Sequence, residues 1–82
     1  MSNFKVVLAR GVNEQLGEVS EGSREQVLAA LNALMVNPQT RDKGGPILHG
    51  SVDAGGYRIG YSVDSYGKTV LVGAIFPVPA HG

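Results

Sequence analysis

The cationic side chains best suited to chemistry on a phosphate lie in the second half of the chain. Arg58 stands between two tyrosines in GGYRIGYSVD, His49 lies shortly before it, and Arg41 and Lys43 occupy a polar loop upstream. A guanidinium can hold a phosphate through paired hydrogen bonds. An imidazole can take up or release a proton near neutral pH. Any site for an anion is therefore expected in this half.

Each of these residues also has a simpler interpretation. Arg58 can be only the polar side of a half-buried strand, and a single histidine after an apolar pair is often an ordinary surface residue. Charges in a glycine-rich loop such as QTRDKGGP usually face solvent. The residue types alone leave both interpretations open, so the elements that position these side chains must be identified.

Composition is typical of one small globular domain. The 82 residues are 43% hydrophobic and 17% charged, and none is cysteine. Without cysteine there are no disulfides or thiolate ligands, and no His, Asp and Glu cluster has metal-ligand spacing. We therefore expect no metal and no cofactor.

Charge and hydropathy limit the partners and the compartment. Seven basic residues balance seven acidic ones, which argues against strong non-specific binding to nucleic acid. No apolar run approaches the ~20 residues of a membrane span. The N-terminal residues lack the pattern of a signal peptide. These features predict a cytoplasmic protein that does not bind membranes.

The first half of the chain predicts a strand and two helices. FKVVLA, residues 4–9, is β-branched and apolar, which predicts a strand covered on both faces. VNEQLGEV, residues 12–19, has one apolar stripe at helical spacing. In the longer helix that follows, Ser23 and Gln26 predict an N-terminal capping box. Asn37 and the proline after it predict where that helix ends.

Three strands are predicted in the second half. ILHGSV predicts the first, and the alternation in YRIGYSV places Tyr57, Ile59 and Tyr61 on one face with Arg58 on the other. TVLVGAIF is apolar on both faces, which predicts a central strand. PVPAHG, residues 77–82, contains two prolines without N–H donors and is predicted to be an extended tail.

The turns between these strands contain one aspartate each. DAGG and DSYGK are turns by composition, and Asp53 and Asp64 are expected to bond their own backbone there. The whole order is strand, helix, helix, then a three-strand antiparallel meander. It predicts a single α+β domain over residues 1–82, with the helix pair packed on one face of the sheet.

This order resembles the RelE/ParE toxin superfamily of toxin–antitoxin systems over residues 4 to about 76. SREQVLAALNALMVNP is similar to the family's second helix, which typically ends just before a proline. PILHG resembles its L-x-G element, and GGYRIGYSVD resembles its G-x-Y-R-x-x-Y strand. An apolar strand like TVLVGAIF then closes the sheet.

The resemblance implies the toxin component of a type II toxin–antitoxin system with a cognate antitoxin as partner. Such a toxin inhibits translation by ribosome-dependent cleavage of mRNA or poisons DNA gyrase. In the RNA-cleaving branch, Arg58 matches the family's arginine and would stabilise the phosphate. His49 stands where relatives often carry a lysine and would serve as acid or base, while Arg41 and Lys43 would help to bind RNA.

Two departures from the family favour an alternative function. FPVPAHG stands where relatives usually carry a basic segment, and only His81 there can carry positive charge. The chain as a whole is neutral. A non-catalytic, protein-binding relative of the same fold therefore remains the alternative, as does an unrelated small domain with a ligand pocket. Catalysis, and assembly as a homo-oligomer or with an antitoxin, stay open.

The predicted strand register can be tested by two neighbouring substitutions. If Ile59 faces the core, Ile59→Ala should lower the free energy of unfolding by roughly 2–5 kcal/mol. Arg58→Ala should change it far less, because the side chain faces solvent. Chemical denaturation of both variants measures the difference. Large and equal losses would mean that the register is wrong.

Overall fold

The computed structural model describes residues 3–42 and 44–79. Six elements follow one another: β1 (Lys5–Leu8), α1 (Val12–Gly17), α2 (Glu21–Val36), β2 (Ile47–Ala54), β3 (Tyr57–Asp64) and β4 (Thr69–Pro77). This order confirms the predicted α+β class.

The four strands form one mixed sheet in the order β1-β4-β3-β2. The last three strands form the predicted antiparallel meander, and β1 adds to it by pairing in parallel with β4. β4 is therefore an inner strand, as its apolar sequence predicts. β1 and β2 are the two edges of the sheet.

Both helices pack on the same face of the sheet. α1 contacts β4, whereas α2 contacts β1 and β2. The apolar core lies between the helices and the sheet. It contains Val12, Val19, Val27, Leu31, Leu34, Ile59, Tyr61, Val63, Val70, Val72 and Ile75. Ile59 has no exposed surface, so the predicted register of β3 is confirmed.

The opposite face of the sheet is open, which corrects one prediction. β1 was expected to be covered on both faces, but Val7 is 37% exposed. On β4, Leu71 is 43% and Phe76 is 45% exposed. An apolar sequence on both sides of these strands thus reflects burial on one side and an uncovered apolar surface on the other.

The start of α2 differs from the prediction. The N-cap is Ser20, not Ser23, and no side chain caps the helix. Ser23 lies in the first turn, where a Cβ added to Gly55 would be 3.0 Å from its own Cβ. Arg24 donates from Nη2 to the carbonyls of Gly17 and Val19, 3.1 Å from each, and so satisfies carbonyls at the end of α1. The small side chain at position 23 is therefore explained by close packing against Gly55 in the β2–β3 turn, and not by a capping box.

The two predicted turns have different outcomes. Asp64 accepts hydrogen bonds from the backbone N–H groups of Tyr66 and Gly67, as expected. The first turn contains only Gly55 and Gly56, whose φ angles of 60° and 85° suit a type I′ hairpin. Asp53 therefore lies within β2, and the prediction that it bonds its own turn is wrong.

The last strand extends further than predicted. β4 includes Pro77, and the backbone N–H of Val78 donates to the carbonyl of Gly56 at 2.9 Å. The tail predicted for residues 77–82 thus starts later, and residues 80–82 lie outside the described part.

β4 also contains an irregularity, where a register shift leaves Gly73 unpaired opposite β3. Beyond the end of β1, the Gln15 side chain accepts the N–H of Ile75 at 2.9 Å.

The segment after α2 lies along the exposed edge of β2. The Tyr61 hydroxyl donates to the carbonyl of Gln39, and the N–H of Arg41 donates to the carbonyl of His49 at 2.8 Å. A Cβ at Gly50 would overlap the Gln39 carbonyl oxygen and lie 2.8 Å from the Tyr61 ring. Only glycine fits at this crossing, which gives the L-x-G element a physical reason.

Gly50→Ala should therefore destabilise the fold. Overpacking of this kind costs typically about 1–3 kcal/mol, because the loop or the Tyr61 ring must move. Gly60→Ala is the matched control, since nothing lies within 4 Å of a Cβ added there. Urea denaturation of the two variants measures the contrast. Equal stability of both would contradict the close approach at Gly50.

Candidate functional site on the open sheet face

The open face is the side of the sheet that faces away from both helices. In the described part of the chain no element packs on it. Its centre carries Leu71 on β4 and the small residues Gly60 and Ser62 on β3. The register pairs Asp53 with Arg58 and His49 with Ser62 across β2 and β3. Because alternate residues share a face, His49 and Arg58 both belong to this side.

A shallow hollow of about 310 Å³ lies on the open face beside His49. It is lined by His49, Gly60, Tyr61, Ser62, Leu71, Gly73 and Ala74. The two glycines and the alanine create it, because they contribute little or no side chain above the strands. The hollow therefore has an apolar floor with a titratable ring at its rim.

Arg58 is held by a carboxylate on the neighbouring strand. Its Nε lies 2.8 Å from Oδ1 of Asp53 and its Nη2 lies 3.1 Å from Oδ2, so the pair is bidentate. Both side chains are about half exposed. The Arg58 hydrogen bond lowers the pKa of Asp53, and Asp53 in turn raises the pKa of Arg58. The guanidinium is thus charged and oriented.

His49 is held by a carboxylate from the loop. Oδ2 of Asp42 accepts the backbone N–H of His49 at 2.7 Å and lies 3.0 Å from Nδ1 of its ring. The side-chain hydrogen bond to His49 is the main cause that lowers the pKa of Asp42, and the backbone bond adds to it. The imidazole remains 62% exposed.

The two candidate catalytic residues share a face but do not touch. Asp53 lies opposite Arg58, and His49 is on the same strand four residues before Asp53. That separation is about 13 Å along a strand. The pair of Ser51 and Gly60 lies between them. A ligand that contacts both Arg58 and His49 must span this small-residue interval.

The predicted RNA-binding residues are only partly described. The backbone of Arg41 pairs with His49 at the edge of β2, which places this exposed residue beside the open face. Lys43 lies outside the described residues. Within residues 3–42 and 44–79, no group of three or more His, Asp or Glu side chains is placed to hold a metal ion.

A second hollow lies on the helix side, between α2 and the edge of β2. It measures about 270 Å³ and is lined by Ala30, Ala33, Leu34, Asn37, Gln39, Ser51, Val52 and Tyr61. Burial raises the pKa of Tyr61, and its hydrogen bond to Gln39 opposes that shift. The Tyr61 hydroxyl therefore stays protonated at neutral pH and donates to the Gln39 carbonyl.

The structure is similar to known structures, although the sequence is not similar to known families. Neither a protein-family model nor a curated protein matches the sequence. A chain of the archaeal RelE–RelB complex from Pyrococcus horikoshii OT3 matches the structure with a TM-score of 0.82 and 17% identity, covering 95% of this chain and 98% of that one. The isolated E. coli RelE toxin matches with a TM-score of 0.68 and 13% identity, covering 95% of this chain and 87% of that one.

The chain has a RelE-like fold. The resemblance drawn from the order of the elements is thereby confirmed for the fold. At 17% and 13% identity, side-chain roles do not transfer with the RelE-like fold. The residues of the open face must be judged by their own chemistry. Neither helix in the described ranges is long and apolar enough to cross a bilayer.

Sequence reasoning missed two residues on the open face of this RelE-like domain. Asp42 was overlooked in a polar loop, and Asp53 was assigned to a turn. The alternation of β2 offered a signal for Asp53, because it is four residues after His49 and therefore lies on the same face of the strand. No local signal existed for Asp42, because its contact depends on where the loop crosses the edge of β2.

The pairing of Asp53 with Arg58 predicts a specific titration behaviour. Because the pKa of Asp53 is lowered, the stability that the pair contributes to the fold is fully present at pH values above 3.8. That stability is lost as the pH falls through the lowered pKa. Arg58→Ala should return the pKa of Asp53 toward 3.8, because the main cause of the shift is removed. The pKa of Asp42 should stay low. Carboxyl ¹³C titration by NMR measures both, and an unmoved Asp53 would contradict the pairing.

Proposed function

We propose that the chain is the toxin component of a type II toxin–antitoxin pair, and that it acts by cleaving RNA on its open face. The observation that carries this proposal is a RelE-like fold in which Arg58 and His49 share the uncovered side of the sheet. The P. horikoshii structure contains RelE with RelB, and the E. coli structure is that of a toxin.

Cleavage of RNA by its own 2′-hydroxyl requires three kinds of assistance. A base accepts the hydroxyl proton, a donor supplies a proton to the leaving oxygen, and fixed positive charge stabilises the phosphorane-like transition state. His49 is the residue proposed for proton transfer, because an imidazole titrates near neutral pH. Arg58 is proposed for the phosphate.

The bond to Asp53 leaves Arg58 able to contact a phosphate. An arginine has five N–H donors, and the bidentate pair uses Nε–H and one Nη2–H. The other donors, on Nη1 and Nη2, remain for a ligand. Asp53 therefore holds the guanidinium in one orientation, but its negative charge also offsets part of the attraction for an anion. This balance predicts weak phosphate binding in the free protein.

The positions of Arg58 and His49 suggest how an RNA segment would lie. The interval of about 13 Å between their strand positions is spanned by Ser51, Gly60 and the hollow beside His49. For Arg58 and His49 to act on the same bond, RNA would have to place one phosphate over this interval, within reach of both side chains. Arg41, at the edge of β2, would add a contact outside the hollow.

The proposed antitoxin would cover apolar surface that the chain leaves exposed. On α2, Leu28 is 42%, Met35 is 37% and Val36 is 70% exposed. Covering such residues is favourable at roughly 25 cal/mol per Å² of apolar surface. The neutral net charge is compatible with a protein partner and argues against strong non-specific RNA binding.

A non-catalytic, protein-binding role is the second candidate. It is favoured by a specific observation, since Arg58 and His49 are each already paired with a carboxylate. In that case the open face would bind a polypeptide through Leu71 and Phe76. The paired polar side chains at the edge of this face would contribute only to solubility. Poisoning of gyrase needs no catalytic set and would also fit this arrangement.

Induced expression in a growing bacterial host tests the proposed function. We expect growth arrest, together with new 5′ ends within translated mRNAs mapped by primer extension. Arg58→Ala and His49→Ala should each relieve the arrest and remove the new ends. His49→Ala removes general acid–base help, which contributes about 10²–10⁴-fold to rate, and Arg58→Ala removes the fixed positive charge proposed to stabilise the transition state.

Arg10→Ala is a control for the loss of one positive charge, since Arg10 lies in the turn before α1. It should retain the arrest. Growth at the normal rate with abundant folded protein would contradict the toxin assignment in that host. Arrest with intact mRNA and inhibited DNA supercoiling would instead support the gyrase-directed branch.

A further inference from the structure

One carboxylate oxygen makes two contacts to the same histidine. Oδ2 of Asp42 accepts the backbone N–H of His49 at 2.7 Å and faces Nδ1 of the ring at 3.0 Å. The backbone bond alone would leave the imidazole free to rotate about its side-chain torsions. The two together fix the loop to the strand and one edge of the ring to the loop.

We propose that Asp42 is a positioning residue for His49, which keeps the neutral ring in the Nδ1–H form with Nε2 as the free proton acceptor. The inference rests on the proposed function for its catalytic meaning. It assigns a role to a residue that no sequence pattern indicated.

The protonation chemistry of the two groups requires this tautomer. An ionised carboxylate has no hydrogen to donate, so a hydrogen bond to Nδ1 exists only when Nδ1 carries the proton. Asp42 is ionised at neutral pH, because its bonds to His49 hold its pKa below the ordinary value. In the neutral imidazole the lone pair is then on Nε2.

The position of the ring leaves it open to a ligand. His49 is 62% exposed and lines the hollow on the open face, while Asp42 contacts the ring from the loop at the strand edge. Asp42 thus occupies the Nδ1 side of the ring. Nε2, on the other side, is the nitrogen with a lone pair for a hydroxyl bound in the hollow.

The fold supplies the loop position that the arrangement needs. Gln39 is anchored by the Tyr61 hydroxyl, and Arg41 pairs with the carbonyl of His49 at 2.8 Å. Asp42 follows directly, so its side chain reaches back to the same strand residue. Backbone pairing on one side of Asp42 therefore fixes where its carboxylate lies.

A purely structural role for Asp42 makes a different prediction. An exposed edge strand has unpaired N–H groups, and the carboxylate caps one of them. If Asp42 did only this, the native ring would have no preference for the Nδ1–H form. Because one oxygen makes both contacts, an asparagine oxygen in that place could accept both N–H groups, so Asp42→Ala, which removes the acceptor altogether, is the informative variant.

NMR of the full chain with ¹⁵N-labelled histidine tests the proposal at a pH where the imidazole is neutral. In the native protein most of the His49 proton should be on Nδ1, seen in the ¹⁵N shifts of the two ring nitrogens. In Asp42→Ala this majority should be lost, because the acceptor facing Nδ1 is removed. Asp53→Asn is the matched control, because it removes the other carboxylate on this face and should leave the His49 tautomer unchanged.

A native ring with its proton mainly on Nε2, or an unchanged tautomer in Asp42→Ala, would overturn the proposal. Amide spectra that match the native ones would show that the variant is folded. If its amide spectrum shows unfolding, Asp42→Glu, which retains the charge, provides the second comparison: retention of the Nδ1–H form supports the proposal and its loss contradicts it.

The kinetic consequence separates this inference from the proposed function. If the chain cleaves RNA, Asp42→Ala should lower the rate by up to the about 10²–10⁴-fold that general acid–base help contributes. A changed tautomer in a protein that cleaves no RNA would refute the function and keep the positioning role. RNA cleavage that needs His49 but is unaffected by Asp42→Ala would refute the positioning role alone.

Discussion

The fixed crossing of the loop after α2 over the edge of β2 is the constraint on which the candidate site depends. The Tyr61 hydroxyl reaches from the sheet to the carbonyl of Gln39, and Gly50 lies beneath with no room for a Cβ. An edge strand left bare would expose unpaired backbone groups. Here the loop pairs with His49 instead and brings Asp42 to the same point. Edge protection and the environment of the imidazole are therefore one arrangement.

The two faces of the sheet have opposite tasks. The inner face carries Ile59 and the other core residues, and its burial stabilises a domain with little core to spare. The open face has small residues, exposed leucine and phenylalanine, the ion pair of Arg58 with Asp53, and the hydrogen-bonded pair of His49 with Asp42 at its edge. Those pairs are exposed to solvent and contribute little to folding. Their presence is better explained by what they do to Arg58 and His49 than by stability.

Most of the fold could be predicted because the signals are local. Alternation in β3 assigns Ile59 to the core and Arg58 to the opposite side without any knowledge of partners. Asn37 and Pro38 end α2 for a steric reason that involves only neighbouring residues. The start of α2 was missed, since Ser23 is placed by its contact with Gly55, a residue distant in sequence.

The sequence by itself determined the α+β class, the meander and the direction in which Arg58 points, since strand and helix periodicities are properties of short segments. Only the tertiary structure decided which carboxylates contact Arg58 and His49. Asp53 meets Arg58 because a two-glycine hairpin sets the register across the strands. Asp42 meets His49 because the loop is anchored through Tyr61. Both contacts depend on geometry between separate elements, which no periodicity within one element contains.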